Sequence, residues 1–231
     1  MSPQRRSGRQ LKREVLELLG SGELGQALDA LCQMPARQVI NPLLSLLLST
    51  DLKIKWASVT AIGAVVAKLA GLDMEAARVI MRRLMWQLND ESGGIGWGCP
   101  ETMGEIMACH VGLAREYAEV LVSYVREDGN FLEYEPLQQG AVWGIARVAE
   151  TYSRLVADSI PHLLPFLNGS GASLRGLTAW ALGLLGADEA CSRVEGLLGD
   201  SSEVEFYWGR ELKVVPVMDL AKGALSRLKK A

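Results

Sequence analysis

The stretch LRGLTAWALGLLGAD, residues 174–188, decides the fold because four other segments of the chain repeat its pattern. Each segment places apolar and small residues at helical spacings around one small residue. These small residues are Gly63, Gly104, Gly144, Gly183 and Ser226, at intervals of 41, 40, 39 and 43 residues. A period near 40 residues that contains two amphipathic helices and no strand is typical of stacked helix pairs.

Partner helices lie between these segments. Residues 73–88, 113–125 and 159–167 carry apolar residues three or four positions apart. Asp73 and Ser159 are predicted to be N-caps, because both residue types favour that position. We therefore predict an all-α fold, a right-handed α-α superhelix of about five helix pairs, in which the repeated glycines let neighbouring helices approach closely.

The C-terminal part of the chain resembles a known repeat family. Residues 173–208 and VMDLAKGALSRL, residues 217–228, are similar to the HEAT-like repeats named after the phycobilisome lyases. The pattern R-x-x-A-x-x-A-L-G-x-L-G is read at Arg175, Thr178, Ala181, Leu182, Gly183, Leu185 and Gly186. The resemblance covers residues 50–231 and implies a curved, armadillo-like α-solenoid, whereas the functions of the family are diverse.

We predict a single HEAT-like solenoid domain over residues 1–231. Its predicted parts are a flexible basic tail (1–9), N-terminal capping helices (10–48), repeats (49–200), a small β-hairpin (203–217) and a C-terminal helix (217–229). The hairpin is predicted because its residues are rich in Val, Phe, Tyr and Trp, with Gly209-Arg210 as a two-residue turn.

Composition and charge limit the classes of partner. No apolar run reaches the roughly 18 residues of a membrane span, and no signal-peptide segment follows the N-terminal arginines, so we expect a cytoplasmic protein without a membrane partner. The net charge is −3, and the first 13 residues carry five basic groups and no acid, which leaves −8 for the rest. An acidic body of this kind makes nucleic acid an unfavourable partner.

The stretch GGIGWGCPETMGEIMACH, residues 93–110, is the strongest candidate for chemistry. Glycines before a helix can bind an anion through free backbone N–H groups, so an anion site in the Gly93–Cys99 loop is one hypothesis. A tight turn between two helices is the favoured alternative, because Glu101 in the first turn of the helix would repel phosphate. Cys99 at the helix start could be nucleophilic, but His110 lies about three turns away.

Metal sites are not predicted. Cys99, Cys109 and His110 lack zinc-ligand spacing, and residues 126–136, which contain Asp128, Asn130 and Glu133, lack the spacing of a calcium loop. We expect no catalytic residues, no metal, no other cofactor and no small-molecule substrate.

A binding surface is better supported by the repeat register. The candidate partner-binding residues are Trp97, Glu101, Glu105, Glu133, Glu135, Gln138, Gln139 and Trp143, which we expect on the concave face with no Lys or Arg to neutralise the glutamates. Aromatic groups beside acceptors suit a basic or amide-rich peptide. The alternative is that both tryptophans belong to the core and that the glutamates are merely solvated.

We therefore predict a non-catalytic scaffold or adaptor that binds a protein or peptide partner. The resemblance leaves two alternatives. One is a DNA-binding protein like the alkylpurine glycosylases that share HEAT-like folds, which would require basic residues on the inner helices. The other is a subunit like a chromophore lyase, which would require a partner chain and a tetrapyrrole.

Overall fold

The computed structural model describes residues 8–89 and 96–228 and divides the chain into two compact units, Met1–Gly98 and Cys99–Ala231. The fold is all-α with one small hairpin, as the sequence predicts. None of the helices within the described ranges is long and apolar enough to cross a membrane. Whether the two units form one continuous solenoid domain stays a prediction.

The described residues of the N-terminal unit, 8–89 and 96–98, contain five helices. They are α1 (Gly8–Gly20), α2 (Leu24–Gln33), α3 (Ala36–Leu46), α4 (Leu52–Ala70) and α5 (Met74–Leu88). The predicted cap of α5 is confirmed, since the Asp73 side chain accepts a hydrogen bond from the backbone N–H of Ala76 at 3.0 Å. Leu31, Leu43, Ile62, Met81 and Leu84 form the centre of this unit's core.

The C-terminal unit has an inner layer of four helices that pack in sequence order. They are α6 (Cys99–Cys109), α8 (Glu135–Tyr152), α10 (Ala172–Leu185) and α12 (Val217–Leu228). The long helix α7 (Val111–Ser123) packs outside α6 and α8. Its N-cap is His110, whose Nδ1 accepts from the Leu113 N–H at 3.3 Å, so His110 joins two helices and does not continue α6.

The other outer helices of this unit are short. Residues 159–167, predicted as one helix, form only α9 (Ile160–Leu163) followed by a 3-10 turn, because Pro165 cannot donate a helical N–H. The equivalent segment of the next repeat forms α11 (Cys191–Glu195) and a 3-10 turn. Ser159 is not a side-chain cap, since its hydroxyl donates to the carbonyl of Val156 at 2.6 Å.

The predicted hairpin is present between α11 and α12. Strands β1 (Glu203–Trp208) and β2 (Glu211–Pro216) pair antiparallel, with Trp208 opposite Glu211. Gly209 and Arg210 have φ values of 61° and 67°. Positive φ at both turn positions gives the twist that a two-residue hairpin requires.

Glycines bring the inner helices into backbone contact. A Cβ added to Gly104 of α6 would lie 2.7 Å from the carbonyl oxygen of Gly144 on α8, and one added to Gly144 would lie 2.8 Å from the Pro100 carbonyl. On α10, a Cβ at Gly183 would lie 2.6 Å from the Cα of Ala224 on α12. Gly104, Gly144 and Gly183 therefore lie where neighbouring inner helices approach closely.

One member of the predicted series is wrong. Ser226 is exposed and its hydroxyl donates to the Gly223 carbonyl at 2.8 Å, whereas Ala224 contacts Gly183. Ala224 follows Gly183 by 41 residues, which restores the regular period. The repeat that contains the hairpin therefore has the ordinary length, and its last helix keeps the register of the others.

The glycine contact generates a matched pair of stability predictions. We expect Gly104→Ala to lower the free energy of unfolding by about 3 kcal/mol, because its Cβ meets backbone that cannot rotate away. Gly223→Ala on α12 should raise it by about 0.5–1 kcal/mol, since the nearest atom to its Cβ is 3.7 Å away and alanine favours helix. Urea denaturation followed by circular dichroism measures both, and equal effects would contradict the close contact.

Candidate functional site

The candidate residues on α6 and α8 lie on two helices that pack directly together. Glu101 and Glu105 belong to α6, and Gln138, Gln139 and Trp143 to α8. We call the surface formed by Glu101, Glu105, Gln139, Trp143 and Arg147 the α6–α8 face. Its residues differ in how far they reach solvent.

Glu101 lies beneath the neighbouring helix. Its exposed fraction is 5%, and a Cβ added to Gly140 of α8 would lie 2.6 Å from the Glu101 Oε2. The Glu101 carboxylate therefore occupies space that is available because Gly140 has no side chain. A glutamate placed in this way contributes to the contact between α6 and α8 and is not a solvated surface group.

Glu105 is also buried, and Arg147 neutralises its carboxylate. Its Oε2 accepts from the Nε of Arg147 at 2.7 Å, and Nη1 of Arg147 reaches Glu150 at 3.2 Å. Burial alone would lower the pKa of Arg147, but the charges of Glu105 and Glu150 raise it overall. The expectation that no basic residue neutralises the glutamates is therefore wrong at Glu105, because Arg147 comes from the next repeat.

Trp143 is covered by the hairpin. Its exposed fraction is 3%, and its Nε1–H donates to the carbonyl oxygen of Tyr207 on β1 at 2.8 Å. Their rings also pack, with centroids 6.2 Å apart. Trp143 is therefore a buried residue, as the alternative interpretation predicts, and the segment that covers it is strand β1 of the same chain.

The hairpin makes further contacts on both sides of Trp143. Trp180 of α10 meets Phe206 edge to face at 4.9 Å, and Trp208 Nε1 donates to the Glu150 carboxylate at 2.5 Å. These residues were not predicted as part of the site. The sequence signal for this contact is the alternation of apolar and charged residues in β1. It places Val204 and Phe206 on one face of the hairpin, and that face is buried.

The accessible candidates lie around the start of α8. Glu133 is exposed, while Glu135, Gln138 and Gln139 are half-buried. The Gln139 Nε2 donates to the Glu135 Oε1 at 3.1 Å, and Tyr134 between the two glutamates is 47% exposed. We call Glu133, Tyr134, Glu135, Gln138 and Gln139 the acidic rim.

Trp97 belongs to the N-terminal unit and is half-exposed between Gly96 and Gly98, which have φ values of 33° and 74°. A Cβ on Gly98 would lie 3.2 Å from Leu47. Gly93 and Gly94, the first glycines of the possible anion loop, lie outside the described residues.

The two cysteines of the candidate stretch differ in environment. Cys99 is 2% exposed at the start of α6. Cys109 ends α6; part of the residue reaches solvent, but its sulfur is partly buried and lies 3.6 Å from the Glu105 Oε1. Burial of the thiol and the charge of Glu105 raise the pKa of Cys109 to about 12, which disfavours the thiolate.

Metal ligands do not converge in the described residues. No group of three or more His, Cys, Asp or Glu side chains among residues 8–89 and 96–228 is placed to hold an ion. In the segment compared with a calcium loop, Arg126 binds both oxygens of Asp128 at 3.1 and 2.9 Å. This hydrogen bonding lowers the pKa of Asp128 and occupies its carboxylate.

Known proteins match parts of the sequence and the whole fold. Residues 135–185 match the family model of the HEAT-like repeat. An uncharacterised protein of Archaeoglobus fulgidus is 29% identical over 152 residues, which are 63% of this chain and 76% of that relative. The predicted resemblance to HEAT-like repeats is confirmed, but the phycobilisome-lyase type is not.

Two solved structures show the same fold at low sequence identity. An engineered protein has a TM-score of 0.52 and 16% identity, covering 95% of this chain and 96% of its own. Kap121p has a TM-score of 0.54 and 13% identity, covering 96% of this chain but 26% of its own. The all-α solenoid fold predicted from the sequence is confirmed.

The hairpin cover can be tested at its central hydrogen bond. Trp143→Phe keeps an aromatic ring but leaves the Tyr207 carbonyl without its indole donor, so we expect the free energy of unfolding to fall by about 1–3 kcal/mol. Hydrogen exchange of the β1 and β2 amides should accelerate. Trp208→Phe is the control: it also removes an indole donor, to the Glu150 carboxylate, but Trp208 is 48% exposed, so water can replace the donor and the cost should stay below about 1 kcal/mol. Equal losses would contradict a buried anchor at Trp143.

The raised pKa of Cys109 predicts a slow thiol. At pH 8 we expect iodoacetamide to label Cys109 about 100-fold or more slowly in the folded protein than in urea, because almost none of the thiol is ionised. Glu105→Gln removes the neighbouring negative charge and should speed labelling about tenfold, whereas Glu119→Gln on α7 should not. Peptide mass spectrometry measures the rates, and a fast Cys109 in the folded wild type contradicts the prediction.

Proposed function

We propose that this HEAT-like repeat protein is a non-catalytic scaffold that holds a protein or peptide partner beside the α6–α8 face. The observation that carries the proposal is the hydrogen bond from Trp143 to the Tyr207 carbonyl. Through it, the inner helices of the C-terminal unit already hold one extended backbone segment, the strand β1. A partner segment would use the same kind of contact on the neighbouring, accessible surface.

The acidic rim is the proposed contact surface. Glu133 and Glu135 supply negative charge, Gln138 and Gln139 supply amide donors and acceptors, and Tyr134 supplies exposed aromatic area. Residues 99–231 carry 12 basic and 18 acidic groups, a net charge of −6. This chemistry fits a basic or amide-rich extended segment.

The other candidate residues have different proposed roles. Glu101, Glu105 and Trp143 would act beneath the surface, holding α6, α8 and the hairpin in position. Trp97 stays a proposed contact in the N-terminal unit. We propose no catalytic role for Cys99, which is buried, or for Cys109, whose raised pKa opposes ionisation.

The alternative functions have less support. A DNA-binding groove needs basic groups free to meet phosphate, but Arg147 of the α6–α8 face is engaged by Glu105 and Glu150. The chromophore-lyase-like alternative stays a hypothesis that rests on the repeat resemblance alone.

The test is binding of a fluorescein-labelled peptide of ten residues, rich in Lys and Arg, to the full chain. We expect saturable anisotropy changes that weaken as salt rises. Glu133→Lys/Glu135→Gln should weaken binding about fivefold at 0.15 M salt, since the exposed Glu133 and the half-buried Glu135 should each contribute about 0.5 kcal/mol.

The matched control is Glu119→Lys/Glu189→Gln, which makes the same change in net charge away from the rim. It should leave the affinity within about twofold of wild type. Equal weakening by both variants, or no saturable binding by wild type up to about 1 mM peptide, would reject the acidic rim as the binding surface.

A further inference from the structure

The N-terminal unit has an apolar groove between α3 and α5, with the end of α4 as its floor. Its volume is about 360 Å³, and its apolar lining includes Ile40, Leu69, Val79 and Ile80. Arg37 and Asn41 of α3 form one rim. Pockets of this size and composition accommodate apolar groups when a few polar groups orient the ligand.

Exposed apolar side chains extend the groove along α5. Val79 is 53% exposed and Trp86 is 72% exposed, and they lie seven residues apart. Two turns of α-helix place such residues on the same side, about 10 Å apart. An exposed tryptophan in line with an apolar groove is the kind of anchor that carries much of the binding energy in interfaces.

The charged groups on this surface are basic. Arg83 lies between Val79 and Trp86 on α5, and its Nη1 donates to the Asn41 Oδ1 at 2.5 Å across the groove. Within the described ranges, neither Arg37 nor Arg83 contacts a carboxylate. The nearby acid Glu75 is held by Arg82 at 2.6 Å and by Arg78 at 3.5 Å.

The positive charge at the groove is local to its rims. Residues 1–98 carry a net charge of +3, but residues 1–13 supply +5 and residues 14–98 sum to −2, while residues 99–231 carry −6. The charge that favours an acidic partner here is therefore that of Arg37 and Arg83. This groove and the acidic rim are chemically distinct surfaces on different units.

We propose that the groove between α3 and α5 binds an acidic amphipathic helix of a partner protein. The apolar face of that helix enters between Ile40 and Val79 and packs on Trp86. Its carboxylates meet Arg37 and Arg83 at the rims. A helix is the favoured occupant because Val79 and Trp86 match a seven-residue repeat of apolar groups on the opposing surface. The inference does not depend on the acidic rim.

The probe is a labelled 16-residue helical peptide with Leu at positions 4, 8, 11 and 15 and Glu over most of its other face. Two comparison peptides share its length: one with the same composition in scrambled order, and one with every Glu replaced by Lys. We expect the full chain to bind the acidic amphipathic peptide saturably in fluorescence anisotropy. The scrambled and lysine peptides should bind at least tenfold more weakly.

Two variants, each with a matched control, measure separately how much the apolar and the charged residues of the groove contribute to binding. Val79→Ser/Trp86→Ser should weaken binding at least tenfold. The control Leu16→Ser/Leu48→Ser, which changes two exposed apolar residues away from the groove, should not. Arg37→Glu/Arg83→Glu should weaken binding at least tenfold and reduce its salt dependence, while Lys12→Glu/Lys53→Glu should change affinity less than threefold. All four variants change exposed residues, and circular dichroism verifies that they remain folded.

Several outcomes would overturn the proposal. They are equal affinity of the groove variants and their controls, equal binding of the amphipathic and scrambled peptides, and no saturable binding up to 1 mM peptide. Sedimentation equilibrium that shows self-association lost in Val79→Ser/Trp86→Ser would assign the groove to a second copy of this chain instead. Binding to anionic vesicles lost in the same variant would assign it to a lipid surface.

Discussion

The backbone contact between α6 and α8 at Gly104 and Gly144 is the constraint on which the C-terminal unit depends. No side chain separates the two helices there, so the distance between their backbones is fixed. The neighbouring side chains must fit this distance. Glu101 fits because Gly140 offers space, and Glu105 meets Arg147 because the next helix lies so close. The contact between Gly183 and Ala224 repeats the arrangement at the C-terminal end of the layer.

The hairpin converts part of this layer from an open surface into an internal interface. Trp143 and Trp180 would be large exposed aromatic groups on an uncovered helix layer, and β1 covers them with Tyr207 and Phe206. The burial is accompanied by a satisfied indole N–H, which avoids the cost of an unpaired buried donor. The same contact identifies the layer as a surface that can hold an extended backbone, which is the basis of the proposed scaffold role.

The two units differ in the chemistry that they present. The C-terminal unit offers an acidic rim beside its helix layer, and the N-terminal unit offers an apolar groove bordered by arginines. Two surfaces of opposite charge on one chain suit a scaffold that holds two different segments.

The sequence by itself determined the repeating helix layers, the glycine contacts at positions 104, 144 and 183, and the hairpin, because periodicity and turn composition are local properties. It did not determine that Ala224 takes the place of Ser226 at the contact with Gly183. It also did not determine that the outer helix predicted over residues 159–167 ends at Leu163. Tertiary structure alone decided that Glu105 pairs with Arg147, 42 residues away, and that Tyr207 covers Trp143, 64 residues away. Burial and pairing depend on which surfaces meet in space, and a pattern within one repeat carries no information about what packs on it from another.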